Sequence, residues 1–167
     1  MRFVISSLFV TAIASPVLAQ APVGDKKVEV FQAVFQAIED KAEAYAIPAQ
    51  KYLGDHDLTY LKDCEAVSLM AFQSTLQSST SMEEAYPNLV LYKAREIAWG
   101  RSLRTKLLAE GKLNSAVIGT VEGAFNAVPY SEDDVGEIVF PLVVSCTQKF
   151  DQAFEMALAA NEVNFSE

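Results

Sequence analysis

The chain has 167 residues, is 51% hydrophobic and carries a formal charge of −9 at pH 7, from 13 basic and 22 acidic residues. That length suits one domain around one core. So acidic a balance argues against a primary role on nucleic acid or on anionic membrane surfaces.

Met1-Arg2 precedes an apolar run from Phe3 to Ala14, followed by Ser15-Pro16-Val17-Leu18-Ala19. One early cation, an uncharged core of about a dozen residues and small side chains at the minus-three and minus-one positions compose a secretory signal. Cleavage after Ala19 leaves residues 20–167 and, with Arg2 removed, a net charge of −10. Phe3–Ala14 is too short to cross about 30 Å of hydrocarbon as a helix, and no later run approaches the ~18 apolar residues that a span requires. The sequence thus predicts a periplasmic or secreted protein with a signal peptide over 1–19, one helical domain over 20–167 and no transmembrane segment.

The first predicted helix runs from Lys26 to Tyr45, with Asp25 as N-cap. Its apolar residues Val28, Phe31, Phe35, Ile38, Ala42 and Tyr45 step by three or four and so share one seam. Glu29, Gln32, Glu39, Asp40 and Glu43 fall outside that seam. Pro48 disfavours helical geometry just before it, which sets the expected end near Ala46 and makes 48–57 a loop around Gly54. A second helix is expected from Asp57 or Thr59 to Gln77, apolar over a wide arc that includes Leu61, Val67, Leu69, Met70, Phe72 and Leu76.

Ser81-Met82-Glu83-Glu84 reads as a capping box opening a third helix. Gly111 offers it a left-handed stop after Glu110, and Pro87 is the one residue that argues for a later start. Asn114 can cap a fourth helix, Ser115 to Val128, in which Ser115, Gly119, Gly123 and Ala127 form a stripe of small residues suited to close packing. Ser131 with Glu132, Asp133 and Asp134 marks a fifth start. That last region reaches Ala160 along Val139, Leu142, Cys146, Phe150, Ala153 and Ala157, with Pro141 kinking or splitting it. The expected fold is an all-α, four- to five-helix, bundle-like single domain.

Cys64 and Cys146 each lie on or beside an apolar stripe, so their helices can meet there. In an exported chain such a pair forms one disulfide. Redox exchange fits poorly, because no Cys-x-x-Cys pair is present and apolar helical surroundings raise a thiol's pKa. The same absence of Cys-x-x-Cys-His excludes covalent haem.

His56, the single histidine, stands in an Asp55-His56-Asp57 run that reads as a turn and helix cap; one histidine is too few for multi-histidine zinc or copper sites. No Gly-x-Ser-x-Gly elbow is present, and no serine or cysteine is marked out as a partner for that histidine. These readings predict no metal, no cofactor and no recognised catalytic constellation. Carboxylate pairs of the glycosidase kind stay open among 22 acids.

Charge is segregated. Lys93, Arg95, Arg101, Arg104, Lys106 and Lys112 crowd into twenty positions against only Glu96 and Glu110, giving +4 there and −14 over the rest of the mature chain. At 100° per residue Lys93 and Arg104 fall about 20° apart, between apolar flanks. Such cations either snorkel to the rim or meet an anion. Two readings follow. In one, they pair with acids on neighbouring helices. In the other, Lys93, Arg101 and Arg104, with Trp99 as an interface anchor in place of a core residue, form a site for an anion or a partner protein.

The functional expectation is an exported binding protein that shields or inhibits another protein of the cell envelope. A carrier of a small apolar ligand, using Phe31, Phe35, Phe72, Phe125, Phe150 and Phe154, is the alternative. A lysozyme-like cell-wall hydrolase is the third reading; it requires two carboxylates facing each other in a cleft, one with a raised pKa.

Overall fold

The computed structural model of the chain describes residues 25–112, 137 and 139–163. Among these residues there are four helices and no strand: α1 (Asp25–Gln50), α2 (Leu58–Ser78), α3 (Met82–Ala109) and α4 (Phe140–Ala159). The expected helix over 115–128, its small-residue stripe and the Ser131–Asp134 start lie outside the described residues.

Helix α3 is the centre of the bundle. It packs along both α2 and α1, while α4 lies across α1 and α2. The core is built as much from alanine as from large side chains. Ala42, Ala46 and Ala49 on α1, Ala94 and Ala98 on α3 and Ala157 on α4 are all fully buried, with Ala153 of α4 nearly so. Small side chains at these positions let the helix backbones approach closely, and Trp99, Phe150, Ile38 and Leu89 fill the space left between them. Ala98→Leu should therefore overpack the bundle, although leucine is nearly as good a helix former as alanine. The expected cost is about 1–3 kcal/mol in urea unfolding. A midpoint equal to the parent's would show that the α3 seam has slack.

The ends of the helices follow the chemistry of their residues. Asp57 caps α2, its side chain accepting a hydrogen bond from Tyr60 N–H at 2.9 Å. Ser81 caps α3 by accepting from Glu84 N–H at 3.4 Å. Helix α3 closes at Gly111 (φ 65°), with Gly111 N–H donating to Leu108 O and Lys112 N–H to Leu107 O. Helix α4 closes in the same way, with Asn161 (φ 56°) in the left-handed position that glycine more often fills.

Two expectations are corrected. Helix α1 does not end at Ala46 but runs through Pro48 to Gln50. Proline removes only the bond to the carbonyl of Ala44, a residue exposed to water. Burial of Pro48, Ala46 and Ala49 outweighs that loss. Phe31, placed on the core seam, is instead 52% exposed, its ring tilted against that of Phe35 with centroids 4.6 Å apart. Pro141 falls within the first turn of α4.

Cys64 and Cys146 are joined in a disulfide, with Cα atoms 5.4 Å apart and both side chains buried. The bond ties α2 to α4 across 82 residues of sequence. No described helix is long and apolar enough to cross a membrane.

Candidate functional site

The helical repeat places Gln36, Glu39, Asp40 and Glu43 on one face of α1, spaced by three, one and three residues. It likewise places Lys93, Glu96, Ile97, Gly100 and Arg104 on one face of α3. The two faces border a groove of about 400 Å³, to which α2 adds a single side chain, Glu65. Among the described residues, five carboxylates line the groove against two cations, together with Gln36 and Ile97.

Glu65 is the unusual member. Its row on α2, stepping by three or four, is otherwise apolar: Leu61, Leu69 and Phe72. Its carboxyl rests on the bare backbone of Gly100, so closely that a Cβ added there would lie 2.3 Å from Oε1. Gly100 is thus a glycine kept inside a helix, at about 1 kcal/mol relative to alanine, because only glycine leaves room for this carboxyl. Burial pushes the Glu65 pKa up from 4.5 to about 7. Arg104 opposes that rise and the nearby Glu96 adds to it.

The folded chain therefore holds the Glu65 proton more tightly than the unfolded chain does. Its contribution to stability is fully present below about pH 4.5, is lost as pH rises towards about 7 and stays absent above that. The shift corresponds to at most about 3 kcal/mol. Glu65→Gln should flatten this part of the stability–pH curve and make the protein more stable than the parent at pH 8. A variant that keeps the parent's slope would assign the slope to another group.

The cations predicted as a partner site are largely satisfied within the fold. Lys93 lies 3.0 Å from Glu96 Oε2, within ion-pairing reach though not aligned as a hydrogen bond. It donates instead to Oε1 at 3.3 Å and sits over the Phe72 ring. Arg95 meets Asp151 at 2.9 Å, Arg101 meets Glu43 at 3.5 Å, Lys106 meets Asp55 at 2.7 Å and Lys112 meets Glu110. Arg104 has no carboxylate within 4 Å among the described residues and points its guanidinium towards the Gly100–Glu65 contact.

Trp99 does not present itself as an anchor. It is fully buried, edge-on to His56 and Tyr60 with ring centroids 5.8 Å away in each case. His56 is half-buried, packs on Tyr60 and has Nε2 2.8 Å from Leu53 O. The loop that carries it is pinned to α3 by Lys106, which donates to His56 O and holds the Asp55 carboxyl below the usual carboxylate range. No cluster of three or more His, Cys, Asp or Glu side chains able to hold a metal ion occurs among the described residues.

Sequence reading placed Lys93 and Arg104 on a common face and set Glu39, Asp40 and Glu43 apart from the core seam, but it missed Glu65 and Gly100. Two signals were available: a carboxylate on an apolar row, and a lone glycine inside a long helix. No known protein-family model, curated protein or solved structure matches this chain.

Proposed function

We propose that this chain is an exported binding protein whose recognition surface is the charged groove between α1 and α3, and that it engages another protein of the cell envelope. The observation that carries the reading is the lining of the groove. Carboxylates converge there from three helices, while most of the cations near them are already ion-paired. Such a surface favours a cationic segment, with lysine or arginine side chains entering among Glu39, Asp40 and Glu43. The secretory signal over 1–19 and the Cys64–Cys146 bond support placing this encounter in an oxidising compartment. A groove with so few apolar members offers little to an apolar small ligand.

The test uses the mature, oxidised chain and a lysine-rich peptide at low ionic strength. The account expects saturable binding that weakens in high salt and is reduced at least tenfold by the paired reversal Glu39→Lys with Asp40→Lys, both exposed positions. Binding unaffected by the reversal would exclude the groove.

One observation favours a second reading. Glu65, with its raised pKa and with Glu96 near it in a groove, meets the first requirement of a cell-wall hydrolase acid. Clearing of purified cell walls by the mature chain, abolished in Glu65→Gln, would establish it. No clearing leaves the binding role.

A further inference from the structure

Glu65 and Arg104 share one place on the fold. The position a Cβ would take on Gly100 lies 2.3 Å from Glu65 Oε1 and 3.4 Å from Arg104 Nη2, yet the carboxyl and the guanidinium are not within ion-pairing distance of each other. The carboxyl is at the end of a flexible side chain and the guanidinium is on an exposed one, so a small movement brings them together. Among the described residues, the charged groups facing Glu65 come from two helices. Helix α1 contributes Glu39, Asp40 and Glu43; α3 contributes Lys93, Glu96 and Arg104. Lys93 is held by Glu96 and Glu43 is near Arg101, which among the described residues leaves Arg104 as the cation free to answer a new charge on Glu65. Helix α4, joined to α2 through Cys64–Cys146, supplies none of the lining.

We propose that Glu65, seated on the backbone of Gly100 beside Arg104, is a proton-operated switch of the groove. Neutral, the carboxyl lies against Gly100 and leaves the nearby Arg104 guanidinium unpaired. Ionised, it draws Arg104 in and adds a negative charge to the groove floor. Burial, which raises the proton affinity of this carboxyl, places the transition near neutral pH. If the groove takes a cationic partner, as proposed above, acidification from pH 8 to 6 weakens that encounter. One charge about 6 Å away across water corresponds to roughly a threefold change in affinity.

The test needs no partner. The Glu65 carboxyl carbon, assigned by its loss in Glu65→Gln, is titrated by NMR in the mature oxidised chain, together with the Arg104 side-chain NH. The expected midpoint is about 7 for the carboxyl, with the Arg104 signal moving in step. Gly100→Ala should evict the carboxyl and return its midpoint to near 4.5. Arg104→Gln should raise the midpoint; it also decides the matter if Gly100→Ala does not fold. A parent midpoint near 4.5, or one that neither substitution moves, overturns the proposal. A midpoint near 7 without peptide binding at any pH would remove the partner reading and leave the switch standing.

Discussion

Replacing both Cys64 and Cys146 with serine should lower the melting temperature of the oxidised protein by roughly 10–15 °C. The bond closes 82 residues of chain, and the chain-entropy account assigns such a loop about 4–5 kcal/mol through restriction of the unfolded ensemble. For a domain of this size each kcal/mol shifts the midpoint by about 3 °C. The bond also has a local consequence. Few residues link α4 to α2 beyond the disulfide and Tyr60–Ser145, where the two hydroxyls lie 2.9 Å apart. Without the bond α4 rests on its own seam, chiefly Phe150, Ala153 and Ala157, so the double variant should also show faster amide exchange in α4 than in α3. A melting temperature within about 3 °C of the parent's would show that apolar packing alone fixes α4.

Trp99→Ala should destabilise the fold by about 3–5 kcal/mol, the cost of removing a large buried side chain and leaving part of its volume empty. Trp99 is fully buried where α3 meets the 51–57 loop and the start of α2, and it touches His56 and Tyr60 edge-on. Its loss should therefore loosen the loop as well as the core. Urea unfolding measures the cost, and the parent gives an independent check. As the chain's single tryptophan, Trp99 should emit blue of exposed indole and resist quenching by iodide. Full accessibility to iodide would return it to the role of interface anchor.

What was legible in the sequence was local. Asp57, Ser81 and Gly111 act on backbone groups within four residues of themselves, and each ends its helix as its chemistry dictates. The seam Cys146, Phe150, Ala153 and Ala157 is periodic, and all four side chains are buried. Pro48 misled because its rule is also local, whereas the burial that overrides it comes from other helices. The ion pairs were not legible in detail, since Arg95–Asp151 and Lys106–Asp55 join residues more than fifty positions apart. Glu65 and Gly100 belong to the same class. Their contact depends on how α2 lies against α3, and only the anomaly of each residue in its own helix marked the place.

The groove between α1 and α3 is the proposed surface of encounter. The decisive measurement is a backbone amide shift map of residues 20–167, oxidised, with and without a lysine-rich peptide at pH 8. The account predicts perturbations concentrated on residues 36–43 of α1, at Glu65 and along 93–104 of α3. Perturbations confined to α4, or a saturating excess of peptide that moves no groove residue, would contradict it.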